Sequence, residues 1–166
     1  LRLNTPSAKE YPVRGVDVSE YQGAVDWPAI EAQGIRFAFI RATEGSGYVD
    51  KTFAANWGGV TQTGILPGAY HFFSFDSPAK TQAAIFIGAV PRQAGMLPPV
   101  VDVELYGVHK QTPPDAQAVR DELDVVLALL EEHYGVKPIL YATQKAYKLY
   151  LAGFYPDNPV WIRDVY

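Results

Sequence analysis

Short β-prone runs alternate with helical patterns along this chain, an order that calls for parallel strands joined by helical crossovers. The runs cover 15–19, 37–42, 68–73, 100–103, 139–142 and 160–162, and the helical patterns cover 27–33, 51–63, 78–90, 113–134 and 144–152. Five βα units and a sixth strand result. Strands of an open, doubly wound sheet read as near-continuous Val/Ile/Leu, whereas Asp17, Arg41, His71, Asp102 and Glu104 interrupt these runs near their carboxyl ends. Such groups need a lumen or cleft, and a barrel gathers residues from several strand ends on one face. With 166 residues the chain is shorter than a typical eight-unit barrel of about 250. The expected fold is therefore α/β, an irregular or incomplete TIM-like barrel of five βα units and a sixth strand.

The fourth helical pattern is the clearest. Val119, Leu123, Val126, Leu127, Leu130 and Tyr134 form one apolar stripe with charges opposite. Thr112 is the expected cap, Pro113 and Pro114 suit the first turn, Asp115 complements the helix dipole, and Gly135 ends the helix.

Composition sets the remaining bounds. Hydrophobic residues at 48% against 19% charged describe a chain that folds around one core. We expect one domain at 13–166, with 1–12 as a linker or tail. Fourteen basic against 18 acidic residues, net charge −4, leave no basic cluster for a phosphate backbone, so nucleic acid is not an expected partner. Apolar stretches such as 83–90 fall short of the roughly 20 residues that span a bilayer, and membrane insertion is not expected. The absence of cysteine removes disulfides, thiolate metal sites and a cysteine nucleophile.

Chemistry concentrates at the strand ends. In Val100-Val101-Asp102-Val103-Glu104 the period of two puts both acids on one face and the valines on the other. Two carboxylates in a partly dry lumen cannot both ionise easily, and a neutral acid beside an anion is what glycoside cleavage uses. The same pair also fits a solvated strand end or ion pairs with Arg41. Asp17 is a third acid at a strand end, or alternatively a cap for the helix at Trp27. Three acids also suit magnesium, but no phosphate-cradling glycine loop accompanies them, and no metal is expected. His71 lies on the third run, with an orienting or structural part. His109 and His133 lack ligand spacing, which sets zinc aside. Aromatic residues recur at the same strand ends, among them Tyr21, Tyr70, Phe72, Phe73, Tyr106, Tyr141, Trp161 and Tyr166. Most belong to a core, but rings mixed with acids also read as a groove for sugars.

In its ordered blocks the sequence resembles glycoside hydrolase family 25, the Chalaropsis-type lysozymes or N-acetylmuramidases. The blocks run from Gly15-Val16-Asp17-Val18-Ser19-Glu20-Tyr21-Gln22-Gly23 and Asp26-Trp27 through Phe39-Ile40-Arg41-Ala42-Thr43-Glu44-Gly45 and Tyr48-Val49-Asp50. They continue through Phe53, Asn56, Gly68-Ala69-Tyr70-His71-Phe72, Val101-Asp102-Val103-Glu104 and Ile139-Leu140-Tyr141 to Trp161-Ile162. The resemblance implies hydrolysis of the β-1,4 bond between N-acetylmuramic acid and N-acetylglucosamine in peptidoglycan, retaining and without a cofactor. It also implies Glu104 as general acid/base. Asp102 would orient the 2-acetamido group or stabilise the anomeric carbon, and Asp17 would support the pair. Tyr21, Tyr70, His71, Tyr141 and Trp161 are the expected substrate contacts. Family members continue past Trp161-Ile162 with further strands and another acid, so we expect a barrel truncated at its C-terminal end. A monomer, secreted or wall-associated or released as a phage lysin, completes the expectation. The alternatives are a glycan-binding module without catalysis and an enzyme on another N-acetylated glycan such as chitin.

Overall fold

The computed structural model describes residues 7–164; residues 1–6 of the expected tail and Tyr166 lie outside the described residues. The strands are β1 (Arg14–Val18), β2 (Ile35–Glu44), β3 (Tyr48–Val49), β4 (Leu66–Phe72), β5 (Val100–Val103), β6 (Ile139–Thr143) and β7 (Val160–Arg163). The helices are α1 (Trp27–Ala32), α2 (Phe53–Val60), α3 (Ala79–Ala89), α4 (Ala116–Tyr134) and α5 (Gln144–Ala146). Six strands run parallel in the order β1-β2-β4-β5-β6-β7, while β3 folds back antiparallel on β2. The sheet curls into a half-barrel: Trp161 on β7 meets Phe39 on β2 at 5.4 Å between ring centres, although three strands separate β7 from β2.

The core lies between the outer face of this sheet and the helices. Ala38, Ile40, Ala42, Val101, Val103 and Leu140 are fully buried against the α4 stripe, the α2 residues Phe53, Trp57 and Val60, and Phe86 of α3. On the inner face, glycines make room for rings. A Cβ on Gly15 would overlap the Phe37 ring, and one on Gly68 the Phe39 ring.

Several local expectations are corrected. The cap of α4 is Asp115, whose carboxylate accepts from the Gln117 and Ala118 amides, and not Thr112. Pro113 and Pro114 precede the helix, because a residue before proline is held extended and the chain first turns helical after Pro114. Gly135 closes α4 in the left-handed conformation (φ 74°). Asp115→Ala should therefore cost about 1 kcal/mol and Thr112→Ala a few tenths at most, a difference that urea denaturation resolves. The fifth expected helix, 144–152, is a short α turn followed by a π turn at Tyr147–Leu151. β3 has only two residues, too few to show a period.

Candidate active site

Register aligns the chemistry. Phe72, Asp102, Tyr141 and Trp161 are successive partners across β4, β5, β6 and β7, and Tyr70 sits beside Val100 one step below. A cleft at the inner face is lined by Asp17, Tyr70, Val100, Asp102, Tyr141 and Trp161. Five of the expected site residues thus share one space, and Val100 faces it with them, whereas Val101 and Val103 turn into the core. Its volume, about 40 Å³, admits a water or a small projecting group and no sugar ring. A ligand as large as a sugar ring would have to lie over the mouth. A wider apolar cleft of about 400 Å³ opens between β1 and β7, walled by Phe37, Phe39, Ile139 and Val160 and sharing Asp17 and Trp161. A larger one of about 490 Å³, near Arg92, Met96 and Tyr134, precedes β5 and β6 at the other end of the sheet, and none of the three acids lines it.

Asp102 is the unusual group. It is only 8% exposed, and its Oδ1 is buried without a hydrogen-bond partner. Burial, then the charges of Glu104 and Asp17, hold its carboxyl well above the usual carboxylate range. An orphaned acid facing a cleft is costly for folding and useful for binding or chemistry. Glu104 follows the end of β5, partly buried, with Oε1 3.5 Å from the Arg163 guanidinium. Asp17 is exposed on the cleft's β1 side. The helix at Trp27 is capped by Asp26, so Asp17 has no capping part. Tyr141 and Trp161 meet edge to face at 4.9 Å, and burial pushes the Tyr70 and Tyr141 hydroxyls upward, with Asp102 adding to the rise at Tyr70 and Glu104 at Tyr141.

The profile of glycosyl hydrolases family 25 matches residues 16–166. The chain belongs to glycosyl hydrolase family 25. It is 37% identical over 161 residues to the uncharacterized protein YegX of Escherichia coli K12, covering 94% of this chain and 57% of YegX. It is 38% identical over 96 residues to lysozyme M1 of Streptomyces globisporus, 55% of this chain and 33% of that one. The solved family 25 glycosyl hydrolase of Bacillus anthracis superposes with a TM-score of 0.90 at 53% identity, over 92% of this chain and 70% of that chain. The chain thus spans just over half the length of the YegX relative.

In this family 25 chain the arginine does not pair with the catalytic-looking acids. Arg41 is buried and its partners are Asp50 at 2.8 Å, Glu20 at 3.2 Å and Glu44 at 3.5 Å. The expected substrate contact His71 is corrected: the side chain is fully buried and cannot touch a glycan. Thr43 Oγ1 donates to its Nδ1 at 2.7 Å, and its Nε2 donates to Gln82 Oε1 at 3.0 Å. Gln82 in turn donates to the Ser74 and Ser77 carbonyls, which fixes the amide orientation and therefore the histidine tautomer. A polar residue on a strand reads alike whether it faces lumen or core, so the sequence could not separate these cases. Burial lowers the His71 pKa to about 4. Between that value and the ordinary 6.5 the unfolded chain binds the extra proton, so this group's stability contribution falls as pH drops through the window. Relative to His71→Gln, the native protein should lose roughly 3 kcal/mol between pH 7 and pH 4, measurable from paired urea curves.

Tyr21 is not in the cleft. It stands 80% exposed on the loop after β1, with the Arg41 guanidinium 5.0 Å from its ring centre. Two residues that sequence reasoning left without a role are Asp50, which appears only inside a block, and Arg163, whose contact with Glu104 spans 59 positions. No short-range pattern marks either one.

Proposed function

We propose that the protein is a peptidoglycan hydrolase, a muramidase that cleaves the β-1,4 bond between N-acetylmuramic acid and N-acetylglucosamine with retention. The observation that carries this reading is the buried, unpartnered Asp102 beside Glu104 under a wall of aromatic rings. Family membership and the likeness to a lysozyme support it.

The glycan lies across the mouth, and a group the size of an acetamide projects toward Asp102. Glu104, at the rim, protonates the bridging oxygen as the bond from the anomeric carbon breaks. Asp102 accepts the acetamido N–H and orients its carbonyl toward that carbon, and Asp17 adds negative potential opposite the developing charge. Water then attacks, giving its proton to Glu104 and restoring the acid. An N–H donor arriving at the buried Asp102 supplies the partner that its Oδ1 lacks and stabilises its anion. Tyr70, Tyr141 and Trp161 pack against sugar faces. We place this chemistry in an irregular TIM-like barrel of five βα units, in a monomer that is secreted, wall-associated or released as a phage lysin.

The test is to incubate the chain with purified peptidoglycan, reduce the products with borohydride and identify the reduced terminal sugar by mass spectrometry. Muramitol ends support the proposal. Glucosaminitol ends assign a different bond, and binding without any new ends replaces the hydrolase with a glycan-binding module.

A further inference from the structure

The loop joining β1 to α1 carries the exposed Tyr21 over Arg41, the register partner of the cleft residue Tyr70, and it is braced from an unexpected place. Its first turn is tied by Ser19 and Gln22, with the Ser19 amide donating to Gln22 Oε1 at 2.7 Å. The following amide, of Glu20, donates to Asp50 Oδ2 at 3.0 Å, thirty positions away. Asp50 is 2% exposed and its carboxylate is saturated. Oδ2 also accepts from Arg41 Nε at 2.8 Å, while Oδ1 accepts from the Thr52 amide at 2.9 Å and the Thr52 hydroxyl at 2.7 Å. Arg41 extends the brace by donating to Glu20 Oε1 and by lying against the rings of Tyr21 and Tyr48, at 5.0 and 5.5 Å. Arg41 is also the register partner of Tyr70 in the cleft wall. Burial opposes ionisation of both groups, but the Thr52 and Arg41 hydrogen bonds keep Asp50 below the usual carboxylate range, and the Asp50 carboxylate keeps Arg41 firmly charged.

We propose that Asp50 is a positioning residue for substrate binding: through the Glu20 amide and Arg41 it holds loop 19–23 so that the Tyr21 ring forms the β1-side wall for the glycan. An aromatic side chain left largely in water on a turn has no packing reason to stay in one place. A buried ion pair beneath it supplies one. This inference rests on the glycan reading of the cleft, though not on which bond is cut. An asparagine at position 50 retains one acceptor oxygen against four donors and leaves Arg41 without its closest anion.

The experiment measures the Kd of soluble peptidoglycan glycan strands by calorimetry, at a temperature where far-ultraviolet dichroism shows each variant folded. Asp50→Asn should weaken binding about tenfold, as should Tyr21→Ala, and the double variant should be no weaker than either alone. Thr52→Val, which removes one donor from the same carboxylate without touching the loop, should bind within twofold of the native chain. Glu20→Pro covers the case in which Asp50→Asn does not fold. It deletes only the donated N–H and the Glu20 side chain, at the first position of a turn where proline fits and after a Ser19 that is already extended (φ −146°). It should match the tenfold loss, and Glu20→Gln, which keeps the amide and an acceptor oxygen for Arg41, should lose less than Glu20→Pro. Amide hydrogen exchange of residues 19–23 should accelerate at least tenfold in Asp50→Asn. Unchanged Kd in a folded Asp50→Asn or Glu20→Pro, or losses that multiply in the double variant, would overturn the proposal. Tight binding by a native chain that releases no sugar ends would remove the hydrolase reading and leave the positioning role standing.

Discussion

Glu104→Gln should abolish glycan cleavage to within the background of the assay, a loss of about 10²–10⁴-fold, while leaving the fold and the Kd for glycan nearly unchanged. Glutamine has the size of glutamate but no transferable proton, so it removes the acid and later the base without opening a cavity. The side chain follows the end of β5 and is partly solvated, and its ion pair among the described residues is a 3.5 Å approach to the half-exposed Arg163; such pairs contribute little to stability. Reducing-end release and thermal unfolding, run on the same preparation, check both halves. Turnover close to native in a folded Glu104→Gln would reassign the acid.

Asp102→Asn should have two opposed effects: cleavage falls by about 10²-fold or more, and the protein becomes harder to unfold at neutral pH. In the unfolded chain Asp102 ionises in the ordinary carboxylate range, whereas in the folded chain burial first, and then Glu104 and Asp17, hold the proton to higher pH. Between those two values the native state binds the extra proton, so this group's contribution to stability falls as pH rises and the deficit is complete above the folded value. Asparagine removes the buried charge. The variant's melting temperature should therefore exceed the native one at pH 7 and approach it near pH 3, read by calorimetry across that range. A variant less stable at pH 7 would mean that Asp102 has a stabilising partner within the protein. Gains in stability on removing an active-site group are a common trade.

What the sequence made legible was what repeats at short range. The α4 stripe was readable because six apolar residues keep one helical face, and the Asp102–Glu104 pair because two positions along a strand share a side. That the parallel sheet curls was legible in the polar residues at its strand ends. Other features depend on partners far away. Asp50 meets Glu20 across thirty positions and Arg163 meets Glu104 across fifty-nine, so neither leaves a local trace. His71 misses the cleft because it alternates with Tyr70 and faces the helices beside its register partner Val101, and a polar residue type on a strand does not by itself say which face it takes. Asp115 rather than Thr112 caps α4 because two successive prolines hold the chain extended up to residue 115, a constraint that residue type alone does not show.

The contacts of Gly15 with Phe37 and of Gly68 with Phe39 also bear on how such a sequence drifts. Each ring occupies the volume that a neighbouring side chain would claim, so enlarging either glycine is harmful while its phenylalanine remains, and shrinking either ring alone leaves a void. Neither member of a pair is free to vary by itself. Among descendants of this sequence, these four positions should change in twos, with the small residue and the large one exchanging strands while their summed volume is kept.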